Sequence, residues 1–209
     1  MSRSRLRRPG LRVGLISDIH AHIHHLDRAL AILESAGVDR VVCLGDVVEK
    51  GPQPDRVIER LDALYIPTVK GNHDANAVRH AQLEPRERGM SLDSLAWLDA
   101  LPMKREYMWA GLKIALAHAS LTDEGSGVHA DEVSKAMRRC LQRSDPDVVL
   151  LGHTHVPMRF RWAHHWLCNP GSITTGRDSH GPTCALLSLP DVTLEVYSMA
   201  TGELLRLEG

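Results

Sequence analysis

Residues 11–46 read LRVGLISDIHAHIHHLDRALAILESAGVDRVVCLGD, and their hydrophobic pattern indicates a β-α-β unit. Residues 11–17 alternate in hydrophobicity and residues 38–44 form a continuous apolar run, both typical of strands. Between them, apolar residues from Ile23 onward recur at steps of three and four, which predicts a helix that Gly37 ends. Two strands joined through a helix pair in parallel with a right-handed crossover, so this stretch predicts an α/β fold.

Farther along the chain, strands and helices first alternate and then give way to strands. A second helix over residues 57–64 and a third strand over 65–69 continue the parallel pattern, and residues 74–102 look helical and more polar. The remaining predicted elements are a hairpin with strands at 104–109 and 112–117, a helix through Val133, Met137, Cys140 and Leu141, and strands at 147–151, 158–163, 165–168, 183–189 and 192–198. We expect one domain over residues 11–209, preceded by a flexible basic tail, residues 1–10.

The composition of the 209-residue chain is typical of a globular protein. Hydrophobic residues make up 43% and charged residues 24%, which excludes a disordered, collagen-like or coiled-coil chain. The net charge is −1, so no overall basic field favours nucleic acid as a partner. No apolar window of roughly 18 residues predicts a membrane helix, and the basic start lacks the apolar core of a secretory signal.

Cysteine and histidine usage narrows the chemistry further. The four cysteines, Cys43, Cys140, Cys168 and Cys184, are widely spaced in apolar contexts, which favours reduced core thiols in a cytoplasmic protein. The 13 histidines are unusual in a chain of ordinary charge and point to metal or proton chemistry.

Aspartate, asparagine and histidine residues cluster where the predicted strands end. The clusters are Asp18-Ile19-His20, Gly45-Asp46, Gly71-Asn72-His73-Asp74, His118 and Gly152-His153-Thr154-His155. The carboxyl ends of parallel strands share one edge of a sheet, where α/β proteins bind ligands. Residues two apart in an extended segment point to the same side. Asp18 and His20 are therefore expected to bind one ligand together, as are His153 and His155. Carboxylate, amide and imidazole ligands suit Mn, Fe, Zn or Ni, and the lack of cysteine argues against a structural zinc site.

The ordered pattern D-x-H, G-D, G-N-H-D, H, G-H-x-H over residues 18–155 resembles that of calcineurin-like metallophosphoesterases. The following Asn169-Pro170-Gly171-Ser172 is similar to the small bacterial members. The resemblance implies a four-layer α-β-β-α sandwich: two mixed β-sheets flanked by helices, with two metal ions at the carboxyl ends of the strands.

The same resemblance implies a role for each motif residue. The first metal would take Asp18, His20 and His155, Asp46 would bridge both metals, and the second would take Asn72, His118 and His153. His73 would lie unligated near the substrate and act on the leaving oxygen. We expect two divalent ions, Mn first and Fe, Zn, Ni or Co as alternatives, and in-line attack on phosphorus by a metal-bridging hydroxide. Two such ions, two carboxylates and one hydroxide sum to about +1, which attracts phosphate.

Two positions depart from common patterns of the family. Glu49 and Lys50 follow Asp46 where the Ser/Thr phosphatase branch has Asp and Arg; Glu49 either orients His73 or is solvated, and Lys50 either meets the phosphate or is solvated. Ala119 replaces the usual Gly after His118, which affects the geometry of that loop.

The other histidines carry weaker expectations. His129 and Arg177 are candidates for lining the substrate pocket, and His180 is a weaker one. His22, His24 and His25 open the first helix, where exposure to water is favoured over substrate contact. His164 and His165 look like a hairpin turn.

These residues predict a metal-dependent hydrolase of phosphomonoesters, phosphodiesters or both, with a small-molecule substrate. One alternative is a specialised nucleotide hydrolase acting on dinucleoside polyphosphates, since the core motifs do not separate the two. A second is a non-catalytic scaffold of the same fold, as in a retromer subunit. The presence of every ligand position and of His73 disfavours the scaffold.

Overall fold

The computed structural model describes residues 10–83, 89–122, 127–129 and 132–206. The first half contains β1 (Leu11–Ile16), α1 (Ile23–Ser35), β2 (Arg40–Cys43), α2 (Pro54–Ala63), α3 (Asn72–Leu83) and α4 (Leu92–Ala100). The second half contains β3 (Lys104–Trp109), β4 (Leu112–Ala117), α5 (Lys135–Ser144), β5 (Val148–Leu150), β6 (Pro157–Trp162), β7 (His165–Pro170), β8 (Thr183–Leu189), β9 (Thr193–Ser198) and β10 (Leu204–Leu205).

Within the described residues these strands form two five-stranded mixed sheets. The first sheet has the order β10-β9-β8-β1-β2, in which β1 pairs in parallel with β2 and antiparallel with β8. The second has the order β3-β4-β5-β7-β6, in which β4, β5 and β7 run parallel and the β3–β4 and β6–β7 hairpins supply the antiparallel edges. The predicted α/β architecture of two mixed sheets is therefore confirmed.

Apolar side chains fill the layer between the sheets and the layers under the helices. Leu15 of β1 and Leu116 of β4 belong to one buried cluster that joins both sheets. Ile16 faces the opposite side of the first sheet, where α1 and α2 pack, and α5 covers the second sheet through Met137. Burying one such side chain is worth about 1.5–3 kcal/mol, so continuous apolar strands stabilise a sheet that is covered on both faces. The resulting order of layers is α-β-β-α.

Some element predictions need correction. Residues 65–69 do not form a strand; the segment makes one isolated bridge, between Thr68 and Cys43. Pro67 has no N–H to donate to a ladder, and the Lys70 N–H bonds the Pro102 carbonyl instead, so pairing stops there. The short strand β10 was not predicted from the sequence.

Other boundaries shift by a few residues. The polar segment 74–102 contains two helices, and α5 begins after Ser134, whose side chain accepts the Met137 N–H as a helix cap. The predicted basic tail lies outside the described residues except for Gly10. No helix in the described ranges is both long and apolar enough to cross a membrane.

Candidate metal centre

The loops after β1, β2, β4 and β5 and the start of α3 meet at one place. The side chains that meet there form three overlapping groups: Asp18, His20 and His155; His20, Asp46 and His73; and Asp46, His118 and His153. Within each group the ligand atoms lie within 4.8 Å of one another. Asn72 joins them, because its Oδ1 lies 2.9 Å from His153 Nδ1. The structure thus brings all seven predicted ligand residues together, with Asp46 shared between two groups.

Backbone carbonyls fix two of the imidazoles. His118 Nδ1 donates to the Leu44 carbonyl at 2.6 Å, and His155 Nδ1 donates to the Thr175 carbonyl at 2.7 Å. A carbonyl only accepts, so each ring carries a proton on Nδ1, and its Nε2 is the nitrogen directed into the centre. The Nε2 atoms face carboxylates, at 3.2 Å from Asp46 and 3.1 Å from Asp18. Such carbonyl partners orient histidines that bind metals.

Three buried polar atoms of this centre lack a hydrogen bond. They are Asp18 Oδ1, His20 Nδ1 and His118 Nε2. Leaving buried polar atoms unpaired costs about 1–3 kcal/mol each, so they call for a partner. Carboxylate oxygens with imidazole and amide donors suit a divalent transition metal, and the residues present therefore fit such an ion.

Both carboxyl groups are held in the charged form. Burial opposes ionisation of Asp46, but the contact with His118 outweighs it and lowers the pKa of Asp46 to about 2. Burial likewise opposes ionisation of Asp18, whereas His155 and His118 lower its pKa. Burial disfavours the charged His118, yet Asp46 raises the pKa of this imidazole to about 9. The centre therefore contains two anionic oxygen donors in a dry environment.

The backbone conformation at this centre corrects one premise of the sequence analysis. Asp18 and His20 have φ angles of 57° and 50°, and His153 and His155 have 67° and 60°, so neither pair lies in an extended segment. Asp46 has a φ of 54°. Left-handed residues other than glycine cost about 1–3 kcal/mol each and concentrate at functional sites. Each pair converges because its loop turns tightly, not because it continues a strand.

Two motif glycines make room for the carboxylates. A Cβ on Gly71 would lie 2.1 Å from Asp46 Oδ1. A Cβ on Gly152 would lie 2.0 Å from Ser17 Oγ and 3.2 Å from Asp18 Oδ2. Both distances from the nearest atom are far inside van der Waals contact, so the loops pack in this way only with glycine.

Asp74 is a residue of the centre to which the sequence analysis gave no role. Its buried carboxylate accepts the N–H groups of Val47, Val48 and Gly71 at 2.8, 3.1 and 2.9 Å. Burial, followed by the nearby Asp46, raises the pKa of Asp74 to about 6. Asp74 ties the loop after Asp46 to the start of α3. Its place at the end of the G-N-H-D motif is the signal that pointed to it.

The Asn169–Ser172 stretch supports the metal loops from behind. Ser172 Oγ and Thr174 Oγ1 donate to the Asp18 carbonyl at 3.2 and 2.8 Å. Asn169 Nδ2 donates to the Gly152 carbonyl at 2.6 Å. These bonds connect loops that are far apart in the chain, which gives this motif a positioning role.

His73 belongs to the group with His20 and Asp46, and it also contacts a carboxylate outside that group. Its Nδ1 contacts the carboxylate of Glu49, and its Nε2 lies 4.0 Å from Asp46 Oδ2. Its backbone N–H donates to Asp46 Oδ1 at 2.9 Å. The structure thus places Glu49 where it fixes the imidazole and leaves Nε2 facing the centre.

Lys50 and Arg177 each lie near ligand residues of the centre, and the Arg177 N–H bonds the His155 carbonyl at 3.3 Å. Lys50 Nζ is 3.2 Å from His20 Nε2, and His20 Nδ1 is buried without a partner. Burial, and to a lesser extent the positive His118 and Arg177, lowers the pKa of His153, so the Arg177 guanidinium acts on this ring. Both predicted phosphate contacts are therefore adjacent to ligand residues.

The other histidines lie outside the three ligand groups. His24 is exposed, whereas His22 and His25 are half-buried with ring centroids 5.3 Å apart, so the predicted exposure holds for His24 alone. His129 is exposed and forms an isolated β-bridge with Glu132. His180 Nδ1 lies 2.9 Å from Asp178 Oδ2.

The predicted turn at His164 and His165 needs a similar correction. His164 lies in the turn and its Nε2 contacts Asp145 at 2.7 Å. His165 instead begins β7, is buried, and donates from Nδ1 to the Pro146 carbonyl at 2.6 Å.

Comparison with known proteins gives a consistent result. A family model described as the calcineurin-like phosphoesterase superfamily domain matches residues 11–191. A symmetrical bis(5'-nucleosyl)-tetraphosphatase of Paracidovorax citrulli is 31% identical over 147 residues, covering 59% of this chain and 50% of that protein. The phosphodiesterase YfcE of Escherichia coli is 25% identical over 181 residues, covering 82% and 84%.

Solved structures share the fold at lower identity. A metallophosphoesterase from Sphaerobacter thermophilus superposes with a TM-score of 0.70 at 22% identity, covering 89% of this chain and 86% of that one. Vacuolar Protein Sorting 29 from Cryptosporidium parvum superposes with a TM-score of 0.60 at 20% identity, covering 93% and 94%. At these identities the likeness shows the fold alone.

Proposed function

Because this chain belongs to the calcineurin-like phosphoesterase superfamily, we propose that it hydrolyses phosphate esters at a centre of two divalent metal ions. The observation that carries the proposal is the shared position of Asp46. Its carboxylate belongs both to the group with His20 and His73 and to the group with His118 and His153. A carboxylate with candidate ligands on two sides would hold two ions at once.

The proposed ligand sets follow the two sides of Asp46. Asp18, His20 and His155 would hold the first ion, and Asn72, His118 and His153 the second. When bound, the two ions would lower the pKa of a water molecule and neutralise charge on a phosphoryl group. We propose manganese, since mixed oxygen and nitrogen donors accept it readily.

The protein's own residues would handle the proton and the phosphate charge. Water oxygen bonds to phosphorus as the bond to the leaving oxygen breaks, and His73 Nε2 gives that oxygen a proton. Glu49 holds the His73 ring through Nδ1. Lys50 and Arg177 would bind the remaining phosphoryl oxygens.

Metal removal and replacement test this function. The chelated protein should hydrolyse neither p-nitrophenyl phosphate nor bis(p-nitrophenyl) phosphate, and Mn²⁺ should restore turnover better than Ca²⁺, which prefers more oxygen ligands. Asp46→Asn should reduce metal content at both positions, whereas Glu34→Gln on the exposed side of α1 should keep two ions. Full turnover by a verified metal-free sample would contradict the proposal.

A nucleotide hydrolase is the second candidate. The relation to a symmetrical tetraphosphatase favours it, although that match covers half of the relative's length. A non-catalytic scaffold is disfavoured because every candidate ligand and His73 is present in the centre. The scaffold would bind metal without hydrolysing either ester, so the same assay separates it.

Two coarser proposals accompany this function. We propose a single domain over residues 11–209, because the buried cluster between the sheets joins strands from both halves of the chain. We also propose a cytoplasmic location, because Cys43, Cys140, Cys168 and Cys184 are all free.

A further inference from the structure

A cavity of about 370 Å³ opens beside the candidate metal centre, on the side of His118. Its lining residues are Lys70, Met103, Lys104 and the segment 118–122. The volume lies within the range of about 300–1,000 Å³ that small-molecule sites occupy. Because His118 belongs both to the cavity lining and to the metal centre, the cavity adjoins the centre.

The protein holds two lysines at this cavity. Lys70 lies two residues before Asn72, its N–H bonds the Pro102 carbonyl at 2.9 Å, and its Nζ donates to the Asp99 carbonyl at 2.9 Å. Its side chain is only 13% exposed, so the ammonium is held in place. Lys104 pairs across the β3–β4 hairpin with Ala117, the neighbour of His118. Both lysines therefore line the same cavity as His118, a residue proposed to hold the second ion.

The charge of these lysines is only partly neutralised. Asp99 Oδ1 lies 3.8 Å from Lys70 Nζ. The Asp99 side chain is 64% exposed, so solvent screens this pair. Lys104 makes no ion pair with any residue that the structure describes. One acidic and two basic groups leave the cavity with a net charge of +1, beyond the charge of the metal centre.

Apolar surface completes the cavity. Met103, which is 42% exposed, and the half-buried Leu121 both line it. Methionine adapts its shape to flat rings, and an exposed methionine beside lysines suits a ligand with both a ring and a negative charge. A phosphate joined to a nucleoside has this combination.

We propose that this cavity binds the second anionic group and the organic part of the substrate. Resting on the proposed function, which places the scissile phosphoryl group at the metal centre, the next phosphate would lie between Lys70 and Lys104 and the nucleoside against Met103. The substrate class is then a nucleoside polyphosphate or dinucleotide. A simple phosphomonoester with a neutral alcohol would leave both lysines unused.

Competitive inhibition of p-nitrophenyl phosphate hydrolysis tests this assignment at fixed free Mn²⁺. ADP carries a second phosphate, whereas orthophosphate fits the metal centre alone. Lys104→Met should raise the inhibition constant of ADP about tenfold, the usual effect of losing a charge-assisted contact, and should change that of orthophosphate much less. Asp99→Asn should act in the opposite direction and lower the ADP constant by about threefold, because it removes the competing carboxylate.

Lys113→Met is the matched control. Lys113 lies on the same hairpin, but its Nζ contacts the Ser144 carbonyl and lies 3.8 Å from Glu106, away from the cavity. It should leave the ratio of the two inhibition constants unchanged. Equal changes for ADP and orthophosphate in Lys104→Met, or no change for ADP, would overturn the assignment.

Failure of the proposed function gives a different result. In that case the unmodified protein with Mn²⁺ hydrolyses neither p-nitrophenyl ester. The subsite is then read by calorimetric titration of the same variants with ADP and orthophosphate, with the same expected ratios.

Discussion

Lys50 and a metal ion would compete for the same nitrogen of His20. An ammonium group only donates hydrogen bonds, so the 3.2 Å contact uses the Nε2 lone pair that an ion would need. His20 also lacks the carbonyl partner that fixes His118 and His155, since its buried Nδ1 is unpaired. His20 is therefore the least preorganised ligand of the proposed first site, and Lys50 has to move when the ion binds.

Lys50→Met should accordingly increase metal affinity at the proposed first site. Removing a positive charge and its hydrogen bond from His20 should raise Mn²⁺ affinity there about tenfold, as read by calorimetric titration of metal-free protein. The same variant should lose more activity on a phosphomonoester than on a diester with a matched leaving group, because the monoester carries nearly two negative charges. Lys113→Met serves as the distant control. Unchanged metal affinities would show that the contact has no influence on binding.

His73→Ala should keep both ions and lose about 10²–10⁴ in kcat, the usual contribution of a positioned acid. The loss should be larger for phenyl phosphate than for p-nitrophenyl phosphate, because the poorer leaving group needs the proton more. Glu49→Gln should lose less, since the ring stays but its orientation weakens. His164→Ala, in the β6–β7 turn, is the control. Loss of one ion from His73→Ala would instead identify His73 as a ligand.

At the scale of single residues, the motifs predicted which side chains would meet but not how they are held. The seven ligand residues were expected from the family's ordered motifs; six of them follow strands, whereas Asn72 begins α3. The contacts of Asp74 with Val47 and Val48, and of Ser172 with Asp18, join positions 27, 26 and 154 residues apart. Hydrogen bonds to backbone groups leave no pattern of residue types, so these contacts become visible only with the fold.

At the scale of elements, strand ends determine the centre, and their tight packing is testable at Gly152. Gly152→Ala would press a methyl group against Ser17 Oγ, a buried hydroxyl without a partner. Overpacking of this kind costs about 1–3 kcal/mol in the free energy of unfolding. Urea unfolding of the metal-free protein measures it, with Gly10→Ala as the control because its Cβ would meet only Leu189 O at an ordinary 3.5 Å.

Removing the Ser17 hydroxyl should reduce the cost of Gly152→Ala in the free energy of unfolding. Ser17→Ala removes the unpaired hydroxyl, so alone it should be neutral or slightly stabilising. In the double variant with Gly152→Ala it should recover at least half of the lost stability, since the clashing atom is gone. Additive effects in the double-mutant cycle would show that the two positions do not interact.

The elements that the sequence predicted well are those buried on both faces. β1, β2 and β5 are rich in apolar residues because helices cover one face of each sheet and the other sheet covers the opposite face. The segment 65–69 has the same apolar character but contains Pro67. Strand pairing needs backbone N–H donors, and a pattern of hydrophobicity does not show that Pro67 lacks one.

At the scale of the whole molecule, the burial of the cysteine side chains shows how completely the layers exclude solvent. Burial raises the pKa of Cys43, and raises those of Cys168 and Cys184 to about 12, so these thiols stay protonated and unreactive. Cys140 is half-buried on α5 with only a 3.6 Å contact from Sγ to the Leu121 carbonyl. The prediction of reduced core thiols therefore fits three of the four.

Iodoacetamide should consequently label Cys140 alone in the native protein near neutral pH. Mass spectrometry should find all four thiols labelled after unfolding, and no native labelling in Cys140→Ser. Labelling of Cys168 at the rate of Cys140 would mean that the second sheet opens readily.

The centre also has a mechanical consequence for the molecule. Asp18 and Asp46 extend from the first sheet, whereas His118, His153 and His155 extend from the second. An ion held by both sets would join the two layers, in addition to their apolar contacts and to the hydrogen bond from His118 Nδ1 to the Leu44 carbonyl, and would resist their sliding. At a free-ion concentration a thousand times the dissociation constant, binding would add about 4 kcal/mol to the free energy of unfolding. Metal supply would then set how long each copy of the protein survives heat and proteases, as well as how fast it works.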